Sequence, residues 1–392
     1  MEEDISNTNI NKSSEESESG FTAQNDLKFA IVSLGSVSSQ MVAKEARQYF
    51  GTVDVVDLRK IEILVDNKKT TVLYDGEPFR DYDALYLKGS YKYADLLYGL
   101  TEIYKNKCFI PIDSSAHIVA HNKFMTHLNF SSERVLKMPT SYFAAKISEA
   151  KRFLNTLSYP IILKFPSGTH GKGVIFADSA MSAKSMVDAL DVFKQPVIVQ
   201  DYIDIKSDIR VIVAGNKIIG SMRRTAKGGE IRANAHQGGS AEPFIVTPEI
   251  KQMSLEAAKK IKAHLCAIDI IESDYGPLIL EVNTSPGLQK ITEVTKKNIA
   301  GEIAKYFYEE TQKRRDQKDK LQTRDVMGGL GVQEIGSRDF ETQLDVRSGR
   351  IILPEFVYKM TNFAHEECVT IKVSKNKIEI IRDDDGEDDV FY

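Results

Sequence analysis

Cysteine is scarce. The chain has only Cys108, Cys266 and Cys368, an odd number without a CxxC spacing, which excludes a disulfide framework and fits a reducing cytosol. Long apolar runs are missing as well. None reaches the roughly 18 unbroken residues that a membrane helix needs, so a spanning helix is excluded. The first residues lack both the apolar stretch of a secretory signal and the arginines of a transit peptide, and neither is expected. No internal repeat is found.

What is present points to a multi-domain globular protein. Of 392 residues, 42% are hydrophobic and 28% charged, enough apolar mass for real cores. At about 150 residues per domain the length suggests two to four units. The net charge of −4 is unevenly spread. Residues 1–26 hold seven acids against Lys12, and residues 383–392 hold six acids, so each end carries −6 and the body 27–382 carries +8. Both ends read as solvated and disordered. A basic body between them suits an anionic ligand, such as a nucleotide or an acidic substrate.

Ordered structure is expected from Leu27. Residues 27–35 form an apolar run stopped by glycine, a buried strand opening an α/β unit. A helix from about Ser39 to Phe50, a strand at 53–57 and strand-like runs at 84–87 and 109–112 follow. Strands alternating with helices imply a mostly parallel sheet. From about Asn122 the pattern becomes α+β. Residues 159–165 and 197–200 read as strands separated by a helix, and 208–214 with 217–224 as a hairpin turning at Gly215-Asn216. Thr247-Pro248 caps a helix carrying Ile250, Met253, Ala257, Ile261 and Leu265, and 278–283 is a further strand. A basic helical stretch through Lys313–Lys320 leads to glycines at 328, 329 and 331, read as a linker. Beyond it Leu344, Val346, 351–353, Val369, Ile371, Val373 and 378–381 alternate as short strands of a small β-rich domain.

Gly168-Thr169-His170-Gly171-Lys172-Gly173 follows the strand ending near Phe165. Glycines let a loop fold around phosphate and aim backbone N–H groups at its oxygens. Glycine turns after strands are common, however, and this run matches neither the Walker lysine pattern nor a Rossmann fingerprint. Lys164, at the strand end, either aims its ammonium at the same phosphates or reaches solvent. Glu281 and Asn283 are two apart in a strand and project from one face, with Asp269 in a neighbouring strand-like run. Three such oxygen ligands suit magnesium. Acidic residues of an alternating strand more often face solvent, but this pair ends a buried strand that leaves sharply through Ser285-Pro286-Gly287. Arg223 and Arg224 end the hairpin, and Arg232 and Asn234 follow Gly228-Gly229. Guanidinium groups bind phosphate and carboxylate bidentately, although an isolated arginine is more often surface charge.

Taken in order, Asn122-Lys123-Phe124, Leu163-Lys164-Phe165, the glycine run, Gln200-Asp201-Tyr202-Ile203, Asp208-Ile209-Arg210, Arg223-Arg224-Thr225-Ala226-Lys227, residues 232–239, Asp269-Ile270 and Glu281-Val282-Asn283-Thr284-Ser285-Pro286-Gly287-Leu288 form a highly specific set. Over about 27–310 the chain resembles the ATP-grasp superfamily, specifically RimK-like glutamate ligases. The resemblance implies a fold of α/β and α+β parts: a doubly wound N-terminal domain, then two subdomains that clamp ATP between antiparallel sheets. The implied division is a disordered 1–26, the α/β domain 27–121, a small subdomain 122–200, a large subdomain 201–318, a linker 319–332, a small β-rich domain 333–382 and an acidic tail 383–392. It also implies roles. Lys123 and Lys164 would touch phosphates, under a loop of Gly168, Thr169, Gly171 and Gly173. Asp201 and Tyr202 would form the adenine hinge, with Gln200 and Ile203 also binding ATP, Asp208 would bond near the ribose, and Arg232 and Asn234 would lie at the phosphate end. Asp269, Glu281 and Asn283 would hold two magnesium ions, with manganese as the alternative. Asp201 stands where relatives often carry glutamate, a small change because hinge contacts are largely backbone.

The reaction implied is ADP-forming carboxylate–amine ligation. A carboxylate is a poor acyl donor until ATP converts it to an acyl phosphate, and metals neutralise and align the transferring group. Arg224, with Arg223 as alternate, would stabilise the tetrahedral intermediate. No enzyme nucleophile is required, and the pairs His264/Cys266 and His365/Cys368 read as packing. The implied partners are ATP, L-glutamate and an acidic carboxylate acceptor. That acceptor is a protein C-terminus, such as a ribosomal protein's, the tail of a pterin or deazaflavin coenzyme, or a lysine-biosynthetic carrier protein. Its pocket is expected around Lys88-Gly89-Ser90-Tyr91 and residues 285–288. A cytoplasmic homo-oligomer without a membrane partner is expected. The alternative of another class is a nucleotide-binding protein whose C-terminal module dimerises or binds DNA. Residues 346–355 resemble, over a short stretch, the AbrB-like fold, with Arg347 and Arg350 as DNA contacts or as hairpin surface. The acidic tail would repel a duplex, so nucleic acid is not expected.

Overall fold

The computed structural model describes residues 26–166, 173–192, 196–204, 207–225, 239–329 (side chains to 320), 345–347, 350–354, 357, 369–375 and 377–382. The chain divides into two compact units, 1–322 and 323–392.

The first unit opens with β1 (Lys28–Ser33), α1 (Val37–Ala46) and β2 (Thr52–Asp57), then β3 (Ile61–Val65), β4 (Thr70–Tyr74), β5 (Glu77–Pro78), β6 (Ala84–Leu87), α2 (Ala94–Tyr104) and α3 (Ser114–Ala120). A parallel sheet runs in the order β2-β1-β6. Phe29 and Ile31 enter one core while Ala30 and Val32 enter another, so β1 is covered on both faces and reads as an unbroken apolar run. The helix expected from Ser39 begins at Val37 because Ser36 caps it, its side chain accepting from the Ser39 N–H. The strand expected at 109–112 is reduced to two bridges, Ala84 with Phe109 and Ile112 with Ala263, because Pro111 has no N–H to continue a ladder. The separate antiparallel sheet β3-β4-β5 was not foreseen.

Next come α4 (Lys123–Phe130), β7 (Ser141–Ala144), α5 (Ile147–Leu154), β8 (Ile161–Lys164), β9 (Val174–Ala177), α6 (Ala180–Asp191) and β10 (Val197–Asp201). Their antiparallel sheet is ordered β7-β10-β8-β9. Ile161, Leu163, Val197 and Val199 pack with Ala150, Leu154, Ala183 and Val187 of α5 and α6. Strand alternation therefore turns Lys164 and Gln200 to the opposite face.

The third group is β11 (Ser207–Ala214), β12 (Lys217–Thr225), β13 (Ser240–Pro243), α7 (Pro248–Lys260), β14 (Leu265–Ser273), β15 (Gly276–Asn283), α8 (Gln289–Thr295) and α9 (Ile299–Gly329). Its sheet runs β13-β12-β11-β14-β15. Ile209, Val211, Ile268, Ile270 and Val282 enter a core with Ile250, Met253, Ala257, Ile303 and Phe307. Helix α7 starts as expected, with Thr247 accepting from the Ile250 N–H, but ends at Lys260, and Leu265 opens β14 instead. Helix α9 carries the basic stretch and continues through 319–329, the larger part of the expected linker, on residues of good helix propensity.

The second unit contains two hairpins, β16 (Asp345–Arg347) with β17 (Arg350–Ile352), and β18 (Val369–Ser374) with β19 (Lys377–Arg382). Leu344 lies outside the described residues. No helix among the described residues is long and apolar enough to cross a membrane.

Candidate active site

One face of the five-stranded sheet carries a row of charge. Register places Arg224 opposite Asp208, Arg210 opposite Asp269, and Asp269 opposite Glu281, so β12, β11, β14 and β15 each contribute. Arg210 donates to Asp269 through Nε at 2.8 Å and Nη2 at 2.7 Å. Arg224 donates through Nε to Asp208 at 2.8 Å, through Nη2 to the other Asp208 oxygen, and through Nη2 to Asp269 at 2.9 Å. These side chains are almost fully buried. Burial alone would raise the Asp269 carboxyl, but Arg210 and Arg224 outweigh it and hold it well below the usual range. Burial pushes Asp208 up to about 6, with Arg224 pulling the other way. For Arg224 itself burial opposes the charge, and Asp269 and Asp208 more than restore it.

Glu281 has the opposite surroundings. It makes no hydrogen bond or ion pair with any described residue, and burial, followed by the negative charge of Asp269, raises its carboxyl. A partly buried carboxylate without a hydrogen-bond donor, eased only by the charges of Lys123, Arg210 and Arg224, suits a cation. Asn283 is two residues on, its Oδ1 accepting from the Ser285 N–H at 2.8 Å. Among the described residues no three His, Cys, Asp or Glu side chains stand together. A magnesium ion here would be met by two carboxylates and an amide oxygen, a donor set that suits it. Asp269 differs from the expectation of an open ligand, because two arginines already engage it.

Lys164 faces this row from the other sheet. The positive charge of Lys123 and the negative charge of Glu281 both act on it, and burial, the largest influence, brings it down to about 8. Its Nζ donates to the Gln200 side-chain oxygen. Gln200 Nε2 donates to Ser141 Oγ at 2.8 Å and lies 3.4 Å from His127 Nε2. Lys123 opens α4 behind Asn122, which caps the helix by accepting from the Met125 N–H. The Lys123 N–H donates to the Pro166 carbonyl at 2.9 Å.

The structure thus brings Lys164, Gln200, Asp208, Arg224, Asp269, Glu281 and Asn283 to two facing sheets, with Lys123 at the start of α4. Asp201, Tyr202 and Ile203 continue from the end of β10, with the Tyr202 hydroxyl donating to Asp204 at 3.1 Å. Gly173 has φ +79°, and a Cβ there would lie 2.5 Å from the Phe165 ring, so this end of the loop needs glycine. Gly168, Thr169, Gly171, Arg232 and Asn234 lie outside the described residues. Arg223 is a correction. It alternates to the opposite face from Arg224, donates to Glu272 at 2.7 Å and to Ser207 at 3.2 Å, and stacks over Phe244, so it does not join the row. Asp208, expected near a ribose, is buried against Arg224. Arg210, Ser141 and His127 were assigned no role from the sequence. The Asp208-Ile209-Arg210 spacing could have suggested Arg210, since it shares the face of Asp208. Cys108 and Cys266 are buried and free, and burial pushes both thiols up to about 12, so neither is a nucleophile.

Two facing antiparallel sheets, with Lys164 on one and an Arg–carboxylate row on the other, and Lys123 at the start of α4, define an ATP-dependent ligase of the ATP-grasp class. The RimK-like ATP-grasp domain model matches residues 115–307. A probable alpha-L-glutamate ligase from Pseudomonas savastanoi pv. phaseolicola is 32% identical over 256 residues, 64% of this chain and 85% of that protein. The chain belongs to the RimK-like ATP-grasp family. In fold it is similar to the ATP-grasp ligase PsnB solved with a minimal precursor, at TM-score 0.57 and 17% identity, covering 72% of this chain and 98% of that one. It is likewise similar to a RimK domain protein from Sphaerobacter thermophilus, at TM-score 0.56 and 16% identity, covering 71% and 98%.

Proposed function

We propose that this ligase adds L-glutamate, through its amine, to a terminal carboxylate of a peptide or protein, forming ADP and phosphate. The observation that carries it is the row Arg224–Asp208–Arg210–Asp269–Glu281 facing Lys164 and Lys123. The relative named as a probable alpha-L-glutamate ligase supports glutamate. Structures of ATP-grasp ligases with a precursor, and with a leader and core peptide, support a peptide acceptor over a coenzyme.

Asp269, Glu281 and Asn283 are the residues that would hold magnesium, two ions with manganese as substitute, and the metal would neutralise phosphate charge there. Lys164 and Lys123 bind the phosphates, the strand end at Asp201–Ile203 takes the adenine edge, and the acceptor carboxylate attacks the γ-phosphorus as ADP leaves. The glutamate amine then attacks the acyl carbon, loses a proton, and phosphate departs. Arg224, fixed between Asp208 and Asp269, keeps a positive charge in place for the oxyanion without reorganising. Mass spectrometry of candidate acceptors incubated with ATP, magnesium and glutamate tests this: a gain of glutamyl mass is expected, and no gain on any glutamate-ending peptide, protein or coenzyme refutes it.

The second unit supports a further role in self-association. Ile371 pairs with Ile380 and Val373 with Ile378 across one hairpin face, and all four are exposed, the most open being Val373 at 74%. An isolated hairpin is marginal in water, and a second copy would cover this face. Deleting 333–392 should lower the number of protomers per particle, read by light scattering as mass divided by chain mass; an unchanged number contradicts self-association through this unit. Cytoplasmic residence goes with this reading, because the enzyme draws on ATP and keeps its described thiols free.

A further inference from the structure

Lys88, on the N-terminal sheet, is a buried charge that the reaction above leaves unused. It follows β6 directly, at the carboxyl edge of the parallel strands, where ligands of open α/β sheets bind. It is 4% exposed, and its Nζ finds no hydrogen-bond acceptor among the described residues. Its Nζ lies over the Tyr86 ring, 5.1 Å from the centroid. Burial brings its ammonium down to about 8, and no charged neighbour adds to or opposes that shift. A lysine this deep is ordinarily paired.

What stands opposite is the segment that carries the metal ligands. The Gly89 N–H donates to Ser285 Oγ at 3.1 Å, joining the sheet edge to the turn after Asn283. The Leu288 N–H donates to Ser38 Oγ at 2.8 Å, and that hydroxyl donates to Gln289 at 3.0 Å, so α1 is tied to the same turn. Thr284 Oγ1 is buried and, like Lys88 Nζ, has no partner among the described residues. Two unused donors thus flank the Gly89–Ser285 bond. Gly89, Ser90 and Ser285 are themselves part exposed, so this edge is open to solvent.

We propose that Lys88 and Thr284 form a carboxylate-binding site for a spectator carboxylate of a substrate, one that stays intact while the amide forms beside Glu281 and Asn283. This rests on the ligase reading above. An incoming amino acid reacts through its amine and keeps its carboxylates, whereas the terminal residue of an acceptor keeps only its side-chain carboxylate. Either source supplies the same chemistry: an anion for the ammonium and an acceptor for the hydroxyl.

Steady-state kinetics of the full chain with Lys88→Met and Lys88→Arg, beside thermal melting, test the site. For Lys88→Met, KM for the carboxylate-bearing substrate should rise about 10- to 100-fold, the worth of a hydrogen bond to a charged group. KM for ATP should stay, and melting should hold or rise because an unpaired buried charge is gone. Lys88→Arg should recover part of the loss. A rise in KM for the amino acid alone assigns the carboxylate to it, and a rise for the acceptor alone assigns it to the acceptor. Glutamine and isoglutamine, each lacking one glutamate carboxylate, identify which group is read, because Lys88→Met should erase the wild-type preference. Unchanged KM for both substrates, or a melting temperature that falls with KM untouched, overturns the proposal. Wild-type enzyme inert with glutamate but active with another amino acid refutes the glutamate assignment, and KM for that amino acid then tests Lys88.

Discussion

Glu281 and Asp269 sit opposite each other on adjacent strands, yet their charges have different fates. Two arginines satisfy Asp269, and no described side chain satisfies Glu281. Removing Glu281's charge should therefore cost function and spare the fold. Glu281→Gln is expected to melt at or above the wild-type temperature while ADP formation falls by more than about 100-fold, beyond the loss typical of a residue that only orients a metal ligand. Arg210→Met should do the reverse to stability, lowering it by about 3 kcal/mol in urea unfolding because Asp269 loses a buried partner. The Glu281–Asn283 pair was legible because two residues in a strand share a face. Arg210 was only half legible: its spacing from Asp208 puts the two on one face, but its partner Asp269 is set by the β11–β14 register. Lys164 sets a pH signature. Its folded value of about 8 lies below the ordinary 10.5, so phosphates meet an ammonium below pH 8 and a neutral amine above it. ADP affinity should be level below that pH and fall above it, and Lys164→Met should remove the step in a titration. Stability should change in the other sense. Between 8 and 10.5 the unfolded chain holds the proton that the folded one has lost, so this group adds stability as pH rises through that window.

At the scale of elements, the glycine run between β8 and β9 ends at Gly173, which is conformationally constrained. Gly173 combines φ +79° with the Phe165 ring in the space a Cβ would take. Gly173→Ala should cost about 1–2 kcal/mol for the left-handed backbone alone, and KM for ATP should rise more than KM for glutamate, read from initial rates. Strands with strong alternation and helices with caps were legible: β11 and β12 around Gly215-Asn216, and α7 behind Thr247-Pro248. The sheet β3-β4-β5 was missed because Ile61, Ile63, Val72 and Tyr74 face a core while apolar Leu64 at 55% and Val65 at 72% are exposed, so the alternation is broken. The end of α9 was read as a linker from its glycines, but glycine at a helix terminus costs little and the preceding lysines and glutamines favour helix.

At the scale of the molecule, the site exists only because two sheets face each other. The class of ligase was legible from nine motifs in order, while the pairing of Asp269 by arginines and the burial of Lys88 emerge only when strands from distant parts of the chain align. The body's +8, confined between acidic ends, suits substrates that are all anionic. Raised salt should therefore increase KM for acceptor and ATP together. The most direct test follows the oxygen atom. With an acceptor whose terminal carboxylate carries 18O, turnover with ATP, magnesium and glutamate should deliver one labelled oxygen to inorganic phosphate for each amide formed, with ADP as the nucleotide product. Amide formed with unlabelled phosphate, or with AMP and pyrophosphate, would contradict an acyl phosphate made between these sheets.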